Sequence, residues 1–274
     1  GLSRDARKPF YNKYGWNQGL NYFGNDSSNR YHSLQTKVEK RFSGSYSLMG
    51  HWTMQRASNY GWEYYNIDRS VDWGRNDFYA THVIVVSNLW ELPFGRGKTY
   101  LTGASRAVDY LVGGWQINQI STWYSGLPFT PYYSNCGSDR DVGPCRPDVV
   151  GEILQPRSKD LWFQVSNFRL ESNGDVSGPW KRPGVEQFGN VGRNPLTGPS
   201  FLGTDLSLFK NFTITERISG QFRAEAFNFF NKVNLNNPNN CVDCDPRYDG
   251  KIFGLRQGYQ IQQRRFQFAL KFTF

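Results

Sequence analysis

From Phe266 to Phe274 the chain alternates without a break: Phe266, Phe268, Leu270, Phe272 and Phe274 fall on one side of an extended backbone, and Gln267, Ala269, Lys271 and Thr273 on the other. Period two is the mark of a β-strand, because successive side chains point to opposite faces of the pleat. Large apolar groups along one face of an edge strand would drive aggregation in water. Such a strand asks for an apolar surround on one side and a wet one on the other, which is the environment of the wall of a transmembrane β-barrel.

Composition agrees. Aromatic residues make up 17% of the 274-residue chain, yet hydrophobic residues total 38% and the mean hydropathy is −0.65. A soluble core this aromatic would carry more Leu, Ile and Val, and a disordered chain would carry few aromatics. Alternation between lipid and a wet lumen keeps the average polar. The longest apolar run, Val83-Ile84-Val85-Val86, is far short of the roughly 18 residues a membrane helix needs, so a helical membrane protein is excluded. A net charge of +9 could signal a nucleic-acid partner. Lys and Arg are scattered rather than run together, however, and lumen lining with lipopolysaccharide contact accounts for the basicity, so no nucleic-acid partner is expected. Gly1-Leu2-Ser3-Arg4-Asp5 offers neither an initiator Met nor a signal-peptide pattern, and the start is expected to be processed or truncated.

The fold class predicted is all-β: an antiparallel transmembrane barrel portion of about seven to eight strands occupying residues 1–274. Strands are placed at about 31–42, 45–56, 78–92, 111–124, 204–214, 218–229 and 261–274, with long loops at 56–77, 130–202 and 231–259. Ser43-Gly44-Ser45 turns the first hairpin and Thr215-Glu216-Arg217 a later one. Leu34, Val38, Leu48, Phe222, Phe268 and Phe272 are expected to face lipid. Short turns at one end and long loops at the other are the rhythm of an outer-membrane barrel, with the long loops outside the cell.

The terminal alternation resembles the C-terminal signal of bacterial outer-membrane proteins. That resemblance implies recognition of Phe266, Phe268, Leu270, Phe272 and Phe274 by the barrel-assembly machinery. Further stretches are similar to the C-terminal region of Oar-like TonB-dependent receptors. They are Leu92-Pro93-Phe94-Gly95-Arg96-Gly97, Gly113-Gly114-Trp115-Gln116-Ile117, Ser125-Gly126-Leu127-Pro128-Phe129, Phe188-Gly189-Asn190-Val191-Gly192-Arg193-Asn194, Asp205-Leu206-Ser207-Leu208-Phe209-Lys210-Asn211-Phe212 and Phe222-Arg223-Ala224-Glu225-Ala226-Phe227-Asn228-Phe229-Phe230-Asn231. The resemblance implies an outer-membrane location and partnership with outer-membrane lipid and lipopolysaccharide. It also implies a plug domain and TonB, reached through an upstream region that nothing in this sequence matches. Such transporters close with about 22 strands, so the chain is expected to be a C-terminal fragment, a partner in a split barrel, or a small barrel built from the same module.

Candidate chemistry is sparse. Cys136, Cys145, Cys241 and Cys244 fall in two loops, and loops facing an oxidising exterior favour disulfides. Three pairings are possible, and the local ones, 136 with 145 and 241 with 244, are simplest. A zinc site would ordinarily show two C-x-x-C pairs, so no metal and no cofactor is expected. Gly95-Arg96-Gly97-Lys98-Thr99 ends like a phosphate loop, but the earlier glycine it needs is Leu92 and Pro93 disrupts the geometry; a periplasmic turn is the better reading. Arg223 and Glu225 read as lumen residues in cross-strand ion pairs. His32, His51 and His82 have no metal-ligand spacing. Ser138-Asp139-Arg140-Asp141 and Asp243-Cys244-Asp245 lack the oxygen spacing of a calcium loop and read as solvated charge. Tyr60, Trp62, Tyr64 and Tyr65 could stack on a sugar, or belong to an interface belt.

No nucleophile, base and orienting group come together, so the chain is not expected to be an enzyme. Two classes of function remain. One is transport or binding of a large ligand at the cell surface. The other is a structural or adhesive barrel piece that displays disulfide-pinned loops.

Overall fold

The structure, a computed structural model, describes residues 5–18, 24–25, 27–61, 69–134, 145–165, 178–184, 187–245, 247–256 and 263–274. The long strands are β1 (Asn29–Ser43) and β2 (Tyr46–Tyr60), followed after the short β3 (Trp73–Arg75) by β4 (His82–Glu91) and β5 (Trp115–Tyr124). Four two-residue strands come next: β6 (Pro128–Phe129), β7 (Asp148–Val149), β8 (Trp180–Lys181) and β9 (Leu196–Thr197). Then come β10 (Phe201–Thr213), β11 (Ser219–Phe227) and β12 (Arg265–Thr273). Helices are short: α1 (Tyr11–Tyr14) precedes the sheet and α2 (Arg106–Val112) lies between β4 and β5.

The long strands form one open antiparallel sheet in the order β1-β2-β4-β5-β10-β11-β12, with β3 added to the end of β2. Its edges are β1 and β12, and every residue of both is exposed. Consecutive connections alternate between the two ends of the sheet. Gly44 and Ser45, both left-handed, make the two-residue turn that suits the strand twist between β1 and β2. Residues 214–218 turn β10 into β11 at that same end. The connections 61–81, 125–200 and 228–264 all lie at the opposite end.

Register puts one chemistry on each face. Leu34, Met54, Trp52, Ile84, Trp123, Leu206, Leu208, Phe222 and Phe268 share one side, whereas Gln35, Lys37, Thr53, Asn118, Asp205, Glu225, Arg223 and Gln267 share the other. Across four strands the apolar side carries the row Trp52, Ile84, Trp123, Leu202 near the loop end and the row Tyr46, Trp90, Ile117, Leu208 near the turn end. The six-residue interval between Tyr46 and Trp52 spans about 20 Å of strand, close to the apolar band of about 25 Å between the two aromatic girdles of an outer-membrane barrel. Inside that band polar residues satisfy one another: Asn88 donates to Gln119 (3.1 Å), Gln119 to Ser121 (2.8 Å), and Ser121 bonds to Thr204 (3.0 Å).

Two expectations are corrected here. The stretch 111–124 is not strand throughout, because Leu111 and Val112 end α2. The Ser105 hydroxyl accepts from the Val108 N–H to cap that helix, and the chain stops at Gly113-Gly114. Gly114 is left-handed and sits against the Asn211 carbonyl, where a side chain has no room. The Gly95 region is accordingly part of a long connection, 92–114, rather than a simple turn.

The second correction concerns the 130–202 and 231–259 stretches, whose lack of period suggested open loops. Their described residues fold, with Phe129 beside them, into a layer with the main buried core: Phe129, Tyr133, Phe163, Trp180, Val191, Leu196 and Val242. Phe163 packs on Phe129 and edge-on to Trp180, while the Trp180 and Trp162 indoles donate to the Gln164 and Thr197 carbonyls. Each of these side chains contributes about 1.5–3 kcal/mol on full burial. The wall, by contrast, leaves Leu34, Val38, Phe266, Phe268 and Leu270 more than half exposed. So extensive an apolar surface is untenable in water and is what lipid requires.

Candidate functional site

The loop layer is fastened to the wall by polar side chains. Arg193 donates to the carbonyl (3.0 Å) and side-chain oxygen (2.8 Å) of Asn59 on β2 and pairs with Asp77. Asn194, buried and left-handed, exchanges bonds with the Thr130 hydroxyl and donates to the Arg75 carbonyl (2.7 Å) and Asp77 (2.6 Å). Deeper still, Arg146 pairs with Asp72 at 2.5 Å and donates to the Val71 carbonyl, with both side chains almost fully buried. A small helical turn, Arg69–Asp72, supplies the acid, and the long 125–200 connection supplies the base.

Between these fasteners lies a recess of about 290 Å³ lined by Asp77, Phe129, Tyr132, Arg146, Asn194 and Asn240, among others. Its lining combines aromatic rings with amide, carboxylate and guanidinium groups. Such a lining can hold a small polar group by hydrogen bonds.

The cysteines lie in the same layer. Cys241 and Cys244 are joined in a disulfide and Cys145 is disulfide-bonded, while Cys136 falls outside the described residues. Cys241, Cys244 and Asp249 bring donor atoms within 4.8 Å of one another, but the disulfide occupies both sulfurs. Asp243 accepts from the Ser134 N–H (2.6 Å) and Asp245 pairs with Arg247 (2.6 Å), so both carboxylates are engaged in holding the turn. The Arg247 guanidinium keeps Asp245 below its ordinary range. Residues 138–141 lie outside the described residues.

Asp249 is buried beneath this turn, accepting from the Asp245 N–H (2.9 Å), and burial, with Asp243 and Asp245 nearby, pushes its carboxyl up to about 6. An unfolded chain releases that proton near pH 4. The acid is therefore bound more tightly in the fold, and its stabilising effect is complete below about pH 4 and lost as the pH rises through 6. Amide exchange of residues 239–251, corrected for the intrinsic pH dependence, should show more protection at pH 4 than at pH 7.5. Asp249→Asn should remove that difference; a parent protein with equal protection at both pH values would contradict the assignment.

Other sequence candidates resolve differently. Arg223 and Glu225 make no cross-strand ion pair among the described residues: Arg223 donates to Gln221 (2.6 Å) on its own strand and stacks on Phe209. His82 stacks on Trp52, and His32 and His51 stand on separate strands. Tyr60 packs edge-on to Trp73, while Trp62, Tyr64 and Tyr65 fall outside the described residues. Phe266, Phe268, Leu270 and Phe272 line the apolar side of β12, with Phe268 stacked on Phe222, and Phe274 follows the strand, nearly fully exposed. The fasteners Arg193, Asn194 and Arg146 were not singled out as site residues, although Arg193-Asn194 lies in a stretch already noted.

No curated protein and no solved structure matches the chain. The model of a family described as an outer membrane beta barrel domain matches residues 1–267. A wall with one lipid-compatible face, one polar face, tight turns and long loops is what that description demands; the chain therefore belongs to the outer membrane beta barrel domain family and resides in the outer membrane.

Proposed function

We propose that this chain is the C-terminal wall and surface layer of a TonB-dependent receptor that takes a large ligand at the cell surface and passes it through a larger barrel. The observation that carries the reading is an open wall with two unpaired edges beneath a loop layer that has its own core. Among the described residues β1 and β12 each have a strand partner on one side alone, and on this reading further strands close the wall. A packed outer layer with a polar recess suits capture of a ligand better than loose loops do. On this reading the outer layer lies beside lipopolysaccharide, the assembly machinery inserts the wall, and a plug in the lumen couples to TonB. No catalytic step is involved.

Pull-down of the full-length gene product on the periplasmic domain of TonB tests it. Retention that disappears when the plug is deleted is the expected result. A full-length product that forms heat-modifiable barrels yet is not retained would favour the display reading, in which the layer serves adhesion.

A further inference from the structure

Charge is sorted between the two sides of the wall. The carboxylates on its strands, Glu39, Glu91, Asp205 and Glu225, all lie by register on the polar side, with Gln35 and Arg223. The charged side chains on the lipid side are all basic. Near the loop end they are Arg30, Arg56 and Arg75, and near the turn end Lys40 and Lys210.

At the loop end the lipid side changes abruptly from apolar to basic. Leu34 stands opposite Met54, and the two are 57% and 45% exposed. The next pair outward on that side is His32 opposite Arg56, and the one after it is Arg30 opposite Ser58. Arg30, His32 and Arg56 are exposed, and none makes an ion pair among the described residues. Opposed residues of an antiparallel pair have Cβ atoms about 4.5–5.5 Å apart and diagonal ones about 7–8 Å, so these three side chains can converge on one group above the sheet. Neighbouring rings confirm the side: the Arg30 guanidinium lies over Trp73 at 5.8 Å, Trp73 is edge-on to Tyr60 at 4.8 Å, and register sets Trp73 and Tyr60 on the lipid side too. Arg75, opposite Ser58 and tied to the Thr197 hydroxyl (3.0 Å), adds a charge that Arg56 feels. Like charges gathered without an acid on their side repel, and a bound anion relieves that repulsion.

We propose that Arg30, His32 and Arg56 bind a phosphate group of lipopolysaccharide in the outer leaflet, with Leu34 and Met54 against its acyl chains. A guanidinium offers paired N–H donors to phosphate oxygens, and cations one step beyond an apolar surface stand where acyl chains give way to headgroups. A free phosphate would meet the same cations but gain nothing from Leu34 or Met54. The inference shares with the receptor reading the placement of the long loops outside the cell, and it requires neither a plug nor TonB.

The test is native mass spectrometry of the full-length protein, delipidated in detergent and checked for folding by heat-modifiability. It is offered diphosphorylated lipid A, the same lipid with both phosphates removed, or inorganic phosphate. Diphosphorylated lipid A should be retained at least tenfold better than the dephosphorylated form, and inorganic phosphate should not displace it at equal concentration. Arg30→Gln with Arg56→Gln should lower retention at least tenfold, while Arg56→Lys should keep most of it. Lys37→Gln with Lys271→Gln removes two cations from the polar side of the edge strands and should leave retention unchanged. The Arg30 and Arg56 double variant should still be held by the TonB domain whenever the parent is, so failure of the lipid site and failure of the receptor reading give different results. Equal retention of the two lipids, displacement by inorganic phosphate, an unaffected Arg30 and Arg56 double variant, or equal losses in the two double variants would overturn the proposal.

Discussion

Replacing Arg146 with Met should loosen the outer loop layer by about 3–5 kcal/mol, the cost of removing one partner from a buried ion pair. The Asp72 carboxylate has no exposed surface, and Arg146 is 2% exposed. Without the guanidinium, a charge stays buried beside Gly61 with no countercharge from that arginine. The consequence is specific in place, because the pair joins the 61–81 connection to the 125–200 connection. Amide exchange near residues 69–77 and 145–150 should speed up by a factor of roughly 100 to 1,000 or more, at a tenfold change per 1.4 kcal/mol. Strand amides in β10 and β11 should be unaffected. A second variant separates lost charge from lost packing. Asp72→Leu combined with Arg146→Met removes both charges, and paired apolar replacement of a buried ion pair is often neutral. The double variant should recover most of the protection; equal exchange in Arg146→Met and the parent would show that the pair does not hold the layer.

The wall was legible in the sequence and the layer above it was not, for a physical reason. Phe266, Phe268 and Leu270 see lipid on one side whatever the rest of the chain does, so local alternation encodes their environment. Phe129, Phe163 and Trp180 become buried by meeting one another from distant segments, and no local period records that. Arg193 and Asn194 stood in a recognisable stretch, yet their partners Asn59, Arg75 and Asp77 lie far away in sequence. Helix α2 shows a different failure. Leu111 and Val112 continue smoothly into the apolar pattern of β5, and the stop at Gly113-Gly114 and the cap at Ser105 were the available signals. The Cys241–Cys244 link is close in sequence, so its pairing needed little tertiary knowledge, whereas the burial of Asp249 beneath it did.

Phe268→Arg should sharply reduce the amount of folded protein in the outer membrane, whereas Gln267→Arg, one residue earlier, should leave it nearly unchanged. The two positions differ in face alone. Phe268 is opposite Ala224 and stacks on Phe222 at 6.3 Å, on the side that carries Leu208 and Trp123. Gln267 is opposite Glu225 on the polar side, where a guanidinium meets water and a carboxylate. Phe268 stands midway along β12, so its replacement sets a charge well inside the apolar band. An arginine at the bilayer midplane costs about 2–4 kcal/mol, and the cost falls to about 0–1 kcal/mol near the interface. Phe272→Arg, nearer the strand's end, should therefore be the milder of the two lipid-face variants. The measurement is heat-modifiable protein in outer-membrane fractions, with the full-length parent as reference. Equal yields for Phe268→Arg and Gln267→Arg would mean that the side of the sheet carrying Phe222 and Phe268 does not face lipid, and the inside and outside of the wall would have to be exchanged.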